Sequence, residues 1–149
     1  MTAGRVVEIL VAPEPVRLPQ QVARVRVIAG RGLEGDRYAA GIGTWSEYPV
    51  RTGIALTLIE AEVLEVVGLT GAAARRNLVT RGVRLNDLVG ERFWVGEVEC
   101  YGDRLCEPCA HLERLTRLSP RALAHRGGLR ADVLNGGEVA VGDAVVVAG

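Results

Sequence analysis

The sequence contains no lysine, and this absence excludes two kinds of site. Lysine and arginine together number eighteen among the 149 residues, and every one of them is arginine. A pyridoxal-phosphate enzyme needs a lysine for its internal Schiff base, and a P-loop needs one to contact phosphate. The chain acting alone can therefore form neither site.

An excess of charge and a long apolar run are also missing. The eighteen acidic residues balance the arginines, so the formal net charge is zero and there is no electrostatic case for nucleic acid. No apolar run is long enough to span a bilayer, and the N-terminus has no signal-peptide pattern. We expect a cytoplasmic protein that binds neither nucleic acid nor membrane.

The chain has the size and composition of one packed domain. Apolar residues make up 48% of the sequence, which is typical of a globular protein rather than a disordered one. A length of 149 residues suits one hydrophobic core, and an odd number of cysteines argues against a disulfide scaffold. We expect residues 1–149 to form a single domain.

Short apolar segments separated by glycine-containing turns run through most of the chain. The strand-like segments lie at residues 5–11, 22–28, 53–58, 85–101 and 130–147. Cys100 alternates with Val98, which predicts a core position for this thiol. The pattern indicates a mainly β protein with a few helices, folded as a closed or nearly closed barrel.

One helix is predicted directly after the third of these segments. Thr57 and Glu60 have the spacing of a capping box, and Gly68 is a suitable C-terminal stop. Between them, apolar residues form one stripe at helical spacing, namely Ile59, Val63, Val66 and Val67. We expect this helix to cover a sheet.

Two of the three cysteines lie in the segment 104–113, which reads Arg-Leu-Cys-Glu-Pro-Cys-Ala-His-Leu-Glu. Pro108 suits the first position of a helix, which would place the Cys109 thiol among unpaired backbone N–H groups. Such an environment lowers the pKa of a cysteine and supplies a thiolate at neutral pH. The pattern therefore marks Cys109 as a candidate nucleophile or metal ligand.

Three interpretations of Cys106-x-x-Cys109 stay open at this point. The spacing fits a thioredoxin-type dithiol, although the flanking βαβ pattern is missing. A zinc site would use Cys100, Cys106, Cys109 and His111. Structural zinc sites usually have two pairs of closely spaced ligands, and only one such pair is present. Residues two apart on a helix also point to opposite sides, so Cys109 and His111 could not both bind the ion from the predicted helix. The third interpretation is a single reactive thiol at Cys109. Cys106 would then shield that thiol, form a disulfide with it as a resolving cysteine, or only pack against its neighbours.

Polar residues elsewhere suggest an anion-binding site. Arg75, Arg76 and Asn77 lie at the start of a strand-like segment, where guanidinium forks suit a phosphate or carboxylate. A solvated polar edge is the alternative for these three residues. Asp36 and Arg37 end a glycine-rich stretch, for which a plain turn with a local ion pair is the alternative.

Four motifs in this order resemble the MOSC domain family, named after the C-terminal part of molybdenum-cofactor sulfurases. They are Gly-Leu-Glu-Gly-Asp-Arg at 32–37, Arg-Arg-Asn-Leu-Val-Thr-Arg-Gly at 75–82, Arg-Leu-Cys-Glu-Pro-Cys at 104–109, and Gly-Leu-Arg-Ala-Asp-Val-Leu-Asn-Gly-Gly-Glu-Val-Ala-Val-Gly-Asp at 128–143. The resemblance covers about Val22 to Val147. It implies a strand-rich, barrel-like MOSC fold in which Cys109 matches the family's hallmark cysteine.

The resemblance also implies sulfur or molybdenum chemistry. In cofactor sulfurases the domain is thought to help bind the molybdenum cofactor and to receive or pass on sulfane sulfur. Arg75, Arg76 and Asn77 match an Arg-x-Asn region and resemble contacts to the pterin phosphate. Asp36 and Arg37 match a Gly-Asp-Arg segment, and we include them among the candidate cofactor-binding residues.

The resemblance favours a small protein in which Cys109 carries sulfur for transfer or anchors the molybdenum cofactor. Because the chain cannot hold pyridoxal phosphate covalently, the sulfur must come from a cysteine desulfurase or another donor protein. The acceptor would be the molybdenum cofactor or a metal–sulfur protein. Two alternatives remain: a molybdenum-dependent reductase of N-hydroxylated compounds, with Cys109 as metal ligand, and a binding or scaffold domain without catalysis.

Overall fold

The computed structural model describes residues 4–13, 18–36, 55–106 and 127–148. Strands dominate this part of the chain, and they are β1 (Gly4–Val11), β2 (Gln20–Val22), β3 (Arg24–Ile28), β4 (Gly32–Leu33), β5 (Leu56–Glu60), β6 (Leu78–Arg81), β7 (Arg92–Val95), β8 (Val98–Leu105), β9 (Leu129–Val133), β10 (Gly137–Ala140) and β11 (Ala144–Val147). Two short helices, α1 (Ala61–Val67) and α2 (Gly71–Ala74), connect β5 to β6. A 3₁₀ turn covers Leu85–Leu88.

Seven of these strands form a closed barrel. Their order is β1, β11, β7, β8, β9, β5 and β6, and β6 pairs with β1 to complete the ring. Every pair in the ring is antiparallel except β5 with β6, which is parallel. The helices α1 and α2 make this parallel connection possible, because parallel neighbours need a crossover rather than a tight turn. The barrel-like, mainly β fold predicted from the sequence is confirmed.

A smaller sheet of three strands, in the order β10, β3, β4, packs beside the barrel. β3 pairs with β10 from Arg24↔Ala140 to Val27↔Gly137. Gly32 in β4 approaches the barrel so closely that an added Cβ would lie 2.2 Å from the carbonyl oxygen of Ala55. Only glycine fits that approach, which fixes the small sheet against the start of β5.

Two apolar clusters lie on opposite faces of the barrel wall. Leu58 and Leu78 belong to the main cluster, which also contains residues of the small sheet and of the 3₁₀ turn. Ile59 and Val79, the next residues along β5 and β6, point the other way and pack with residues of α1 and α2. Alternate residues of a strand face opposite sides, so these two strands carry apolar residues on both faces.

The predicted helix start is wrong, whereas the predicted helix end is confirmed. Thr57 lies in β5, and α1 begins only at Ala61, with Glu60 as an N-cap that makes no side-chain cap bond. Gly68 has the left-handed conformation (φ 73°), and its N–H donates to the carbonyl of Leu64. The capping-box spacing was misleading because the Thr57 hydroxyl bonds to Asn77, the residue before β6.

Two further boundaries differ from the sequence prediction. The segment 22–28 is divided between β2 and β3 by a bend at Ala23, and residues 85–88 form a 3₁₀ turn rather than a strand. The buried position predicted for Cys100 is confirmed, since this residue is 0% exposed in β8. No helix in the described ranges is both long and apolar enough to cross a membrane.

Candidate functional site

Cys109, the central residue of the sequence prediction, lies outside the described residues, as do Arg37, Pro108 and His111. Their predicted roles stay predictions. The structure does describe Cys106, three residues before Cys109, and the surroundings of Cys106 define the base of the candidate site.

Cys106 follows directly after the last residue of β8 and is held in place by β9. Its backbone N–H donates to the carbonyl of Gly128 at 2.8 Å, which continues the antiparallel pairing of Leu105 with Leu129. The residue is a free thiol with an exposed fraction of 1%. The Cys106-x-x-Cys109 motif therefore begins at an anchored point of the barrel.

Gly128 is essential to this anchor. It has a positive φ of 109°, and an added Cβ would lie 2.1 Å from the carbonyl oxygen of Leu58. A side chain at this position would push β9 away from β5, and the partner of Cys106 would move with it.

Cys100 and Cys106 cannot share one metal ion. Both belong to the same extended run of chain, and six residues of strand span roughly 20 Å, whereas two thiolates on zinc each lie about 2.3 Å from the ion. Within the residues that the structure describes, no group of three His, Cys, Asp or Glu side chains could hold a metal ion. The zinc interpretation that included Cys100 is therefore wrong.

The Cys100 thiol is also unsuited to nucleophilic chemistry. Burial and, to a smaller extent, the negative charges of Glu99 and Asp132 together raise its pKa to about 12. A thiol with such a pKa carries almost no thiolate at neutral pH. Cys100 therefore has a packing role.

Asn77 is buried directly before β6 and joins three strands. Its side-chain Oδ1 accepts from the backbone N–H of Thr57 at 3.1 Å and from the Thr57 hydroxyl at 3.2 Å. Its Nδ2 donates to the carbonyl of Leu10 at 3.3 Å. The observed role of Asn77 is to tie β5, β6 and β1 together, and its predicted contact with a cofactor stays a prediction.

Arg75 and Arg76 link α2 to β6. Arg75 has a left-handed backbone (φ 58°, ψ 41°), and it is the only non-glycine residue with positive φ in the described ranges. Arg76 donates from Nε to the carbonyl of Gly127 at 3.0 Å and from Nη1 to the carbonyl of Ala74 at 3.2 Å. The structure thus brings Arg76 to the residue before Gly128, which is the partner of Cys106.

Asp36 lies at a different point of the barrel wall and is fully buried. Its Oδ1 accepts from the backbone N–H of Ala12 at 2.9 Å, and its own N–H donates to the carbonyl of Leu33 at 3.0 Å. These bonds fasten the end of β4 to the end of β1. The predicted role of Asp36 in cofactor binding stays a prediction.

Two arginines that the sequence analysis did not select lie beside Cys106. Arg104 is two residues before it, and Arg130 is the direct cross-strand partner of Arg104. On its other side Arg130 is paired with Thr57, which bonds to Asn77. Arg104 in β8, Arg130 in β9, Thr57 in β5 and Asn77 directly before β6 therefore form one row, which we call the polar row. Only the strand register reveals it, because the sequence separates its members.

A family model of the MOSC domain matches residues 56–146 of this chain. The chain belongs to the MOSC domain family. The match begins at the first residue of β5 and ends in β11, so it includes most of the barrel, Cys106 and the whole polar row.

Solved structures similar to this MOSC chain share its fold over nearly its whole length. The YuaD protein from Bacillus subtilis has a TM-score of 0.75 at 15% identity, with 98% of this chain and 96% of that chain covered. YiiM from Geobacillus stearothermophilus has a TM-score of 0.69 at 20% identity, covering 98% of this chain and 75% of that one. YiiM from Escherichia coli gives 0.69 at 20% identity, with 100% and 71% covered. No curated protein matches the sequence at a significant level.

The MOSC family is associated with molybdenum cofactor binding and with sulfur transfer. The donors around Cys106 fit an anionic, oxygen-rich group of this kind. Arg76, Arg104 and Arg130 all lie near the Cys106–Gly128 bond, and Nη1 of Arg130 is buried without a hydrogen-bond partner among the described residues. Guanidinium groups are suited to phosphate oxygens because they offer several N–H donors in a fixed plane.

Proposed function

We propose that this MOSC protein accepts sulfane sulfur on Cys109 in the cytoplasm, or anchors the molybdenum cofactor through the same thiol. Arg75 and Arg76 would hold the anionic part of the ligand, with Asn77 beside them. The observation that supports this proposal best is the anchored Cys106. It fixes the start of the Cys106-x-x-Cys109 motif at the barrel wall, next to arginines, in a chain of a family associated with this chemistry.

The sulfur step needs only a thiolate and a donor persulfide. The Cys109 thiolate attacks the outer sulfur of the donor's persulfide, so that a new S–S bond forms on Cys109 and the donor's S–S bond breaks. The donor cysteine leaves as a thiolate, and no external oxidant or reductant is consumed. Because this chain has no lysine, the donor is proposed to be a separate pyridoxal-phosphate cysteine desulfurase.

The molybdenum cofactor would use the same region. When bound, it supplies a metal centre for oxygen-atom and electron transfer. The residues of this chain would hold its phosphate by guanidinium forks and would position the Cys109 thiol toward it.

Persulfide loading tests the carrier proposal. The protein is incubated with a cysteine desulfurase and cysteine, digested, and analysed by peptide mass. We expect the peptide that contains Cys109 to gain the mass of one sulfur atom. Cys109→Ser should gain none, and Cys106→Ser should still load, because the Cys106 thiol is buried.

Two other results would redirect the proposal. Sulfur on Cys106 alone, or none where a known carrier loads, would contradict the carrier role. Stoichiometric molybdenum in protein purified from a cofactor-producing host would favour the reductase of N-hydroxylated compounds. If the protein neither loads sulfur nor contains molybdenum, the remaining interpretation is a binding or scaffold domain.

A further inference from the structure

A bulge in β1 turns the Glu8 side chain to the outside of the barrel. Val6 and Ile9 both belong to the main core cluster, although strict alternation would put Glu8 on the same inner face as Val6. The register of β1 with β6 shifts between Val6 and Glu8, and Glu8 becomes the partner of Val79. Val7 also packs with the apolar cluster beneath α1 and α2, so two consecutive residues of β1 face outward. Bulges of this kind re-aim a side chain, and here that side chain is a carboxylate.

Glu8 lines a cavity formed by β1, β6, α1 and α2. The cavity has a volume of about 400 Å³, which is within the range of small-molecule sites. Much of its wall is apolar and belongs to the cluster beneath the helices. The Cys106 anchor joins the end of β8 to the start of β9 instead, so the cavity is separate from that anchor. Its apolar lining consists of Val7, Ala61, Leu64, Leu69 and Val79.

Gly71, the first residue of α2, makes room for the Glu8 carboxylate. A Cβ at this position would lie 2.8 Å from Oε2 of Glu8, 2.7 Å from Cδ1 of Leu10 and 2.8 Å from Cγ2 of Val79. The carboxylate therefore lies against the backbone of α2, with apolar side chains beside it. It is half-buried and makes no hydrogen bond or ion pair with any residue in the described ranges. A carboxylate that loses water without gaining a partner is unfavourable, and a bound cation would supply that partner.

The other two charged residues of the cavity neutralise each other. Arg81 forms an ion pair with Glu65, and both belong to the lining. Glu8 is therefore the uncompensated charge, which makes the cavity anionic. A metal ion needs several ligand side chains, whereas no group of three His, Cys, Asp or Glu within the described part of the chain could hold one. An organic cation needs only one carboxylate for its charge and an apolar wall for its carbon chain.

The geometry points to a binding site for a small organic cation, with a primary ammonium or guanidinium group on a short apolar chain. The cationic group would donate to the Glu8 carboxylate, and the chain would cover Leu64, Leu69 and Val79. Charge-assisted hydrogen bonds are stronger than those between neutral groups, and burial of the apolar chain adds a hydrophobic contribution. The cavity volume suits a whole small molecule, so the assigned occupant is a free ligand.

Butylammonium is the probe for this site. Backbone amide signals of isotope-labelled protein are recorded by two-dimensional NMR in increasing butylammonium chloride, at constant pH and ionic strength. We expect saturable shifts at residues of the cavity, Gly71 and Val79 among them, at the millimolar concentrations that suit so small a ligand. Ammonium chloride and butanol should each bind at least about threefold more weakly, because the first lacks the apolar chain and the second lacks the charge.

Glu8→Gln tests the carboxylate. This change keeps the shape of the side chain and removes its charge, so butylammonium should bind roughly fivefold more weakly. The matched control is Glu34→Gln, because Glu34 carries the same charge, is 59% exposed in its side chain and pairs at 3.9 Å with Arg26. The control variant should bind like wild type. The same NMR spectra report whether each variant is folded.

Arg81→Gln should change the affinity in the opposite direction. It removes the cation that pairs with Glu65, so the cavity gains a second free carboxylate and butylammonium should bind roughly threefold more tightly. The Arg81 side chain is 36% exposed, and the loss of such an ion pair should change folding stability little. A purely structural role of these charges does not predict opposite effects of Glu8→Gln and Arg81→Gln on binding.

Three results would overturn the site. They are the absence of saturable shifts in wild type, equal affinity for butylammonium and butanol, and unchanged affinity in Glu8→Gln. Tighter binding of N-acetyl-lysine methylamide than of butylammonium would assign the cavity to a side chain of a partner protein and would overturn the free ligand. All of these results are independent of persulfide loading, because the cavity uses no residue of the proposed sulfur site.

Discussion

The Cys100 thiol shows at the residue scale how burial controls reactivity. Inside the barrel its pKa rises from 9.0 to about 12, first because of burial and then because of Glu99 and Asp132. The folded protein therefore keeps the proton at pH values where the unfolded chain loses it.

This difference predicts a loss of stability at alkaline pH. Between about pH 9 and pH 12 the unfolded state binds fewer protons than the folded state at this position, so the free energy of unfolding falls as pH rises. Below pH 9 the contribution is fully present. Cys100→Ala should show a shallower decline than wild type in urea unfolding between pH 8 and 10.5. Parallel declines would show that Cys100 does not titrate in this way.

Asn77 is the second residue with a testable contribution. Asn77→Ala removes the acceptor of two bonds from Thr57 and the donor to Leu10, and it leaves their partners buried. We expect a loss of about 2 kcal/mol in the free energy of unfolding, measured with urea.

A double-mutant cycle identifies the partner of Asn77. Thr57→Val removes the hydroxyl in the same bond, so the double variant should be less destabilised than the sum of the two single variants. Additive effects would contradict the bond between these side chains.

Helix α2 provides a prediction at the scale of one element. It begins at Gly71, with the Thr70 hydroxyl accepting from the N–H of Ala73 at 3.1 Å, and it ends at Arg75 in the left-handed conformation. Glycine adopts this conformation without the steric cost that Cβ imposes, which is about 1 kcal/mol. Arg75→Gly should therefore be about 1 kcal/mol more stable than Arg75→Ala.

The comparison isolates the effect of the left-handed backbone on stability, because both variants lose the guanidinium group. Urea unfolding measures the difference, and ligand binding should be weakened equally in both if Arg75 holds an anion. An alanine variant as stable as the glycine variant would argue against the left-handed conformation at this position.

Some element boundaries were readable from the sequence, whereas others depended on distant partners. Gly68 ends α1 as predicted, because a glycine with positive φ is a local signal. The position of Thr57 was misjudged, since its hydroxyl bonds to Asn77, twenty residues away. No local pattern contains that pairing, which arises only when β5 and β6 align in parallel.

At the scale of the whole molecule, composition and glycine spacing predicted the fold class but not the strand order. Alternation of Val98 with Cys100 identified the inward face of β8, because side-chain direction has a period of two residues. The closeness of Arg104 and Arg130 could not be predicted, since it depends on the register of β8 and β9 across a shift near Gly102. The cysteine motif was visible in the sequence, but its anchoring bond to Gly128 was not.

The pairing of β1 with β11 closes the ring, and it joins Gly4 to Val145. β11 also pairs with β7, from Val145↔Val95 to Val147↔Phe93. This one strand therefore lies between β1 and β7 in the ring. Removal of residues 142–149 should leave β1 and β7 with unpaired edges, which promote association between chains. We expect the shortened protein to form soluble aggregates on size-exclusion chromatography where the intact protein does not. An unchanged elution profile would contradict this expectation.

The same closure imposes an order on biosynthesis. A ribosome completes β1 long before it completes β11, so the nascent chain carries an open ring through most of its synthesis. Pairing between segments so far apart in sequence is slow, because a long loop must be ordered before the contact forms. β11 is the last ring strand in the sequence, so it completes the barrel wall after every strand that carries the polar row has been made.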